Sequence, residues 1–430
     1  MAAATILIIF CLLAALRIPV AIAMIAAGLV GAAATLDVPV WRLFTTMPTT
    51  AITSGFFVPS MFLLFLLTGL VRATIGSRQI FEGLKSGRKA TSGGGALLAI
   101  LGFGLGSAMG DSMDRRGAVA VRDRLTVAGY SEASAMGVLL GAASFRYVVP
   151  VSAVVVFGGY LMEQSVSRLM LAMALPAVLL AIFLLAIAGI AEFRRRGPDA
   201  SSGSDPSPAN RGKLALAIIG IAVSVTLILL MTNLVASGAT TAAEAFSIAA
   251  FFVLVAAFVI CLIGLARWSD LFEAFAFAAG KTAEIVLILI AAMLIGQALH
   301  LSGFSQAISD IPVNGSLMLL LSLLGIVVLA ALFGAIPAMA LGSAIAFPLS
   351  MKIGGDALWT VCVIIAAAAF AQTLPYIGRT NRFLAQCFPD ATAGTLTRGA
   401  LPYAAALLVW LVLIFLVPEL SIGFPNIATG

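Results

Sequence analysis

Two short stretches gather polar side chains inside apolar surroundings. The first is Ser144-Phe145-Arg146-Tyr147-Val148-Val149-Pro150-Val151-Ser152. The second is Thr373-Leu374-Pro375-Tyr376-Ile377-Gly378-Arg379-Thr380-Asn381-Arg382. Each combines a proline, hydroxyls and an arginine. Proline withholds a helical N–H and frees carbonyls of the preceding turn. Such carbonyls, with the hydroxyls of Ser144 and Ser152, make an all-oxygen donor set of the kind a hard cation such as Na⁺ takes. Arg146 stands within an apolar run. In a bilayer an arginine at helix centre costs on the order of 3 kcal/mol on insertion scales and marks a functional position by default. Its structural alternative is to pair with an internal carboxylate such as Asp111. Thr380 and Asn381 suit a polar ligand. Arg379 and Arg382 belong either to that site or to the end of a span, reaching for the surface. A third stretch, Gly102 to Asp111, places Gly106, Ser107 and Gly110 around a turn, with Asp111 beyond it. Glycine admits close backbone approach to a ligand. A hairpin tip there would aim helix termini at an ion or carboxylate, whereas close helix packing is the alternative use of small residues. A fourth break falls at Gly334-Ala335-Ile336-Pro337. Ser107, Ser144 and Thr380 are the hydroxyl candidates for Na⁺.

These residues need a scaffold, and composition says which. The chain has 430 residues, 62% hydrophobic and 10% charged, with mean hydropathy +1.15. Soluble domains carry about 25% charged residues. Apolar runs long enough to cross a hydrocarbon core of about 30 Å recur along the whole chain. Lipid leaves a bare peptide group unsatisfied, so the spans are expected to be helices. Strand-like alternation is absent, which argues against a membrane barrel. The net charge of +6 does not mean nucleic acid. The basic residues sit in short loops between apolar runs, as the positive-inside rule requires. Cys11, Cys261, Cys362 and Cys387 have no paired spacing, and His300 has no ligand partner at helical spacing. The first apolar run lacks a basic flank, so Ala2–Ala15 reads as a retained span.

A polar, Pro/Ser/Gly-rich stretch over 193–213 divides two halves, 1–192 and 214–430. The first half offers spans near 2–16, 18–36 and 55–75, an amphipathic arm, a broken apolar stretch near 92–128, and spans near 132–160 and 167–192. The second offers spans near 214–236, 242–266 and 282–300, a short arm, a broken stretch near 316–349, and spans near 355–384 and 399–418. The order is the same. If both broken stretches are re-entrant hairpins, each half has an odd number of spans and the second inserts upside down. Most basic residues, including Arg17, Arg72, Arg194–Arg196, Arg267, Lys281 and Arg398, then share one side, the cytoplasm. The opposite side holds Arg42, Arg168 and Lys352. The expected fold is an all-α polytopic membrane protein with about ten transmembrane helices and two re-entrant hairpins in two inverted repeats, in a bacterial or archaeal inner membrane. Inverted repeats with broken helices are the signature of secondary transporters. No G-x-x-x-x-G-K-[ST] loop or dinucleotide fingerprint is present. Nor is there a nucleophile–base pair or a metal-ligand cluster, so an enzyme is not expected and transport would draw on an ion gradient.

Short motifs then align with a family. Arg17-Ile18-Pro19-Val20-Ala21, Gly106-Ser107-Ala108-Met109-Gly110-Asp111, Gly129-Tyr130, Thr241-Ala242-Ala243-Glu244, Leu401-Pro402 and Pro418-Glu419-Leu420-Ser421 occur in one order across the chain. In this it resembles the large membrane subunit of TRAP transporters, the DctM-type permeases of the ion transporter superfamily. The resemblance implies import of a small organic anion, a carboxylate, by an elevator-like motion coupled to Na⁺. It also implies two partners, a small four-span membrane subunit and a periplasmic solute-binding protein. The departures fall on the breaks. A hydroxyl-rich Gly-Pro break becomes Ser144-Phe145-Arg146-Tyr147, an acidic hairpin tip becomes Ala335-Ile336-Pro337, and the last break gains a residue and Arg379. Arg146 therefore places a fixed positive charge where relatives hold a mobile ion. The alternatives are a superfamily permease that works without a binding protein, and a degenerate fold kept as a non-transporting scaffold.

Overall fold

The computed structural model describes residues 2–35, 45, 49, 56–74, 100, 115–127, 129–195, 208–264, 267–304 and 314–429. Helices make up the first half as α1 (Ala2–Ala15), α2 (Val20–Thr35), α3 (Phe57–Thr74), α4 (Arg115–Val127), α5 (Glu132–Val148), α6 (Ala153–Leu161) and α7 (Val166–Arg195). The second half holds α8 (Pro208–Ala236), α9 (Ala242–Leu262), α10 (Trp268–Leu301), α11 (Gly315–Phe333), α12 (Ala335–Lys352), α13 (Ala357–Thr373), α14 (Arg379–Ala385), α15 (Ala393–Leu416) and α16 (Glu419–Thr429). No strand occurs among the described residues.

Among the described residues, seven helical segments are long and apolar enough to cross a membrane, and α1, α2, α3, part of α8 and α13 are shorter apolar helices. At 1.5 Å per residue the 14 residues of α1 extend about 21 Å, short of a full hydrocarbon crossing, whereas α8 as a whole has 29 residues. Hydroxyls in the spans turn inward on their own helix. Thr68 donates to the Leu64 carbonyl at 2.9 Å, Ser144 to Leu140 at 2.8 Å and Thr282 to Ala278 at 2.7 Å. That is the partner an isolated hydroxyl finds in an apolar interior.

The two halves of the sequence interleave. From the first half, α2 and α3 pack on α10 of the second, and α9 packs on α3. Small residues let these helices approach. A Cβ on Gly28 would stand 3.1 Å from the Ile295 backbone nitrogen, and one on Gly69 3.0 Å from Ala274 Cα. A second group forms around α13, which touches both α11 and α12 and also α15 and α5. Here α5 and α15 meet closely enough that a Cβ on Gly399 would lie 1.7 Å from the Ala133 carbonyl oxygen. The Trp359 indole donates to the Ile414 carbonyl at 2.9 Å and the Trp410 indole to that of Pro176 at 2.7 Å, tying α13, α15 and α7 together.

Helices α11 and α12 form an antiparallel hairpin that turns on one residue. Gly334 has φ 102° and ψ 165°. Only glycine occupies that region without strain. The two arms pair in register about it. Gly342 faces Ile326, eight residues away on either side, and Gly315 faces Ile353 in the same way. The sequence places this turn over Gly334–Pro337. In the structure Gly334 alone makes it, and Pro337 lies inside the first turn of α12. The missing proline N–H is harmless there, because first-turn amides have no helical acceptor.

Candidate functional site

Both helix breaks start from the same local cause. The residue before a proline is driven out of the helical region by the ring. Val149, before Pro150, has ψ 133°, and Leu374, before Pro375, has ψ 129°. Beyond Pro150 the chain re-enters a helix at Ser152, whose hydroxyl accepts the Val155 N–H at 3.3 Å. Beyond Pro375 the turn is tighter. Tyr376 has φ 63°, and the Gly378 amide donates to the Leu374 carbonyl at 2.9 Å. A Cβ on Gly378 would be 2.4 Å from the Gln372 carbonyl oxygen, so no other residue fits that turn.

Arg146 joins the two breaks. It is 8% exposed. Its Nη2 donates to the Thr380 hydroxyl at 2.8 Å and to the hydroxyl of Tyr147. The two hydroxyls are themselves 3.0 Å apart, and the guanidinium carbon lies 4.6 Å from the centroid of the Tyr147 ring. These partners are all neutral. Among the described residues no carboxylate pairs with Arg146, and its Nε is buried without a partner. A buried cation with neutral partners alone is costly, since desolvation of the charge is not returned by an opposite charge.

A cleft of about 240 Å³ opens beside this arginine. Its wall takes Arg146 and Tyr147 from the end of α5, Gly334 to Pro337 from the hairpin tip, Gln372 and Arg379 from the second break, and Lys281 and Glu284 from α10. Three cationic side chains therefore face one carboxylate across the cleft. Lys281 and Glu284 pair with each other at 2.6 Å. Ala335 and Ile336 belong to the first turn of α12, where amides lack an intrahelical acceptor and the helix presents its positive end.

The hairpin tip is held from the other side. The last carbonyls of α11 receive Gln372 Nε2 at Ala330 (2.5 Å), Arg382 at Ala331 (3.4 Å) and Arg379 at Phe333 (3.4 Å). Both arginines are exposed, and each completes the negative end of a helix. Gln372 is wholly buried, yet its Oε1 has no partner. Asn381 is likewise buried, with its Nδ2 unpartnered.

Of the residues singled out by sequence, Arg146, Gly334, Pro337, Arg379 and Thr380 line the cleft. Ser144, Pro150, Ser152, Pro375, Gly378 and Asn381 shape the breaks without lining it. The Ser144 hydroxyl is turned to the Leu140 carbonyl and that of Ser152 caps α6. Gly106, Ser107 and Asp111 of the first broken stretch lie outside the described residues. Lys281, Glu284 and Gln372 were not among the candidates. A span beginning near 282 leaves Lys281 in a loop, whereas α10 runs from Trp268 and carries Lys281 well inside. The signals for these three were a Lys–Glu pair at i, i+3 and a lone amide in the apolar run before Pro375.

Comparison with known proteins agrees with the membrane reading. A C4-dicarboxylate TRAP transporter large permease protein, DctM, of Pseudomonas aeruginosa is 26% identical over 373 residues, 84% of each chain. Among solved structures, the YdaH transporter of Alcanivorax borkumensis is 15% identical with a TM-score of 0.49, covering 91% of this chain and 90% of that one. MtrF of Neisseria gonorrhoeae is 16% identical with a TM-score of 0.45, covering 89% and 85%. The family described as the DctM component of the tripartite ATP-independent periplasmic transporter matches residues 7–420. The chain is thus a multi-pass membrane protein that belongs to the DctM family of tripartite ATP-independent periplasmic transporters, a transporter permease and not an enzyme.

Proposed function

We propose that this chain is the large permease subunit of a secondary transporter that imports a small organic anion, with a carboxylate as its recognised group. The observation that carries the reading is Arg146, a buried cation beside a cleft, bonded among the described residues only to neutral groups. A carboxylate in the cleft would supply the missing counter-charge, and a bidentate guanidinium–carboxylate contact would use the free Nε. The first-turn amides of Ala335 and Ile336 add donors from the hairpin tip. The Pseudomonas relative is named for C4-dicarboxylates, and a cleft of about 240 Å³ accommodates an acid of that size.

In this reading the permease works with a small four-span membrane subunit and a periplasmic solute-binding protein, and the hairpin and the two breaks move together in an elevator-like step. The energy comes from an ion gradient, since the sequence carries no nucleotide-binding loop. Na⁺ is the first coupling ion to test, through oxygen donors at the breaks. The test is uptake by proteoliposomes containing the chain with both partners, against a panel of labelled mono- and dicarboxylates, with and without an inward Na⁺ gradient. Uptake of a carboxylate that requires the binding protein is the expected result. Absence of uptake for every acid, with the complex assembled, would sink the transport reading.

A further inference from the structure

We infer that Arg122 is a positioning residue for the cleft: it clamps α4 to the far end of α14 and so fixes the helix that carries Thr380. The inference rests on the reading of the cleft as an anion site and adds a residue that stands outside the cleft wall. Helix α4 closes the first broken stretch. Its residues Ala118, Val121 and Leu125 recur at helical spacing and are buried, and the helix packs on α5. Arg122 leaves this face and reaches across 265 residues to the end of α14. Its Nη1 donates to the Cys387 carbonyl, and the guanidinium carbon lies 5.9 Å from the centroid of the Phe388 ring. A cation there completes the negative end of the helix. Asp123 aims the arginine. Arg122 Nε and Nη2 both donate to Asp123 Oδ1, the first at 2.8 Å, which leaves Nη1 as the end that meets α14.

Helix α14 has seven residues and extends about 10 Å. The first half of the chain holds it at both ends. At the near end Thr380 accepts from Arg146 of α5 at 2.8 Å. At the far end Arg122 of α4 holds the Cys387 carbonyl. Because α4 and α14 both pack on α5, the three helices close a triangle. The side-chain ties of α14 to α11, from Arg379 and Arg382, are longer at 3.4 Å. The helix hangs from the tight turn of Tyr376 and Gly378. Release of Cys387 lets α14 pivot on that turn and draws Thr380 away from Arg146. Clamp and bound anion thus share one equilibrium, and each favours the other by the same factor.

The experiment reads that linkage from both sides. The purified chain is titrated with succinate while its thermal unfolding is followed. Arg122→Gln should weaken succinate binding about tenfold, within the usual range of coupling between sites. Arg122→Lys keeps a donor for the carbonyl and should stay near the wild type. The loss in Arg122→Gln should persist in about 1 M salt, where long-range attraction of an arginine for an anion is screened within about 3 Å. In uptake by the full complex, Arg122→Gln should raise KM with little change in Vmax, a split that simple loss of folded protein does not give. For the reverse direction, Cys11, Cys261 and Cys362 are replaced by alanine, and the Cys387 thiol, 1% exposed, reports on the clamp. Succinate should slow its modification by N-ethylmaleimide when Arg122 is present and not in Arg122→Gln. Rates with and without succinate are compared within one protein, which cancels any change in thiol reactivity. Equal succinate affinity in wild type and folded Arg122→Gln overturns the inference and leaves the anion reading intact. Labelling of Cys387 that ignores bound succinate does the same. Failure of succinate and every other panel acid to bind the wild type sinks the anion reading and the clamp's role with it.

Discussion

At the scale of single residues the decisive feature is a buried charge with no opposite among the described residues. Arg146 is held by Thr380 and Tyr147, one from each side of the two breaks being enough to orient it. Hydrogen bonds to charged groups contribute about 1.5–3 kcal/mol, and leaving such a donor unpaired costs the desolvation of that group. Thr380→Val is therefore expected to lower stability by about 2 kcal/mol, read as a drop in the unfolding midpoint in detergent, together with a raised KM for the anion. Arg146→Gly removes the charge and frees the Thr380 oxygen. That variant should become Na⁺-dependent, with uptake rising about tenfold on adding Na⁺. An unchanged Na⁺ response in a folded Arg146→Gly protein would mean that the guanidinium does not stand in a cation's place.

At the scale of elements, breaks and turns carry the site. Gly334 lets α11 and α12 reverse in one residue and so brings the positive end of α12 beside Arg146. Any side chain there must adopt φ near 102° and would meet the Arg379 guanidinium at 2.9 Å. Gly334→Ala is expected to cost about 1–3 kcal/mol, the usual cost of that backbone region outside glycine. Uptake should fall with stability, because the hairpin tip would shift. The contact of α5 with α15 is tighter still. Gly399→Ala would drive a methyl group into the Ala133 carbonyl, and separating two packed helices costs about 1–3 kcal/mol. Its effect belongs to stability: the unfolding midpoint should fall, while anion affinity in the surviving folded fraction stays near that of the wild type.

At the scale of the whole molecule, the halves complete one another. Arg146 comes from the first half. The hairpin tip, Gln372, Thr380 and Lys281 come from the second. The same division runs through the packing, with α2 and α3 against α10 and α5 against α15. Separate expression of residues 1–200 and 201–430 should therefore give neither uptake nor anion stabilisation with one half alone. Co-expression should restore both, because the contacts between halves, not the 193–213 stretch, hold the site together. Co-purification of the two halves and uptake by the pair are the readouts.

Much of this was legible in the sequence because bilayer physics leaves few choices. Apolar runs must become helices, so the helical class follows from residue types alone; prolines at 150 and 375, each flanked by hydroxyls and an arginine, mark the two breaks, whereas Pro176, Pro348 and Pro402 lie inside helices. The same reasoning marked Arg146 and Thr380 separately. What it did not supply was their meeting. Asp111, the alternative partner for the guanidinium, lies outside the described residues, and a hydrogen bond from Arg146 runs across 234 residues to Thr380. Nor did residue types reveal that Lys281 lies inside α10, because the helix continues for more than three turns beyond the apolar run that signals it. Arg379 and Arg382 were open between ligand and surface, and only the hairpin's position assigned them to the carbonyls of Ala331 and Phe333. Periodicity and proline chemistry act within a few residues, so the sequence alone determines that the apolar runs are helical and marks where they can break. Which ends face one another is settled by packing over the whole chain, and it is that packing which brings a charge, two hydroxyls and a helix terminus around one cleft.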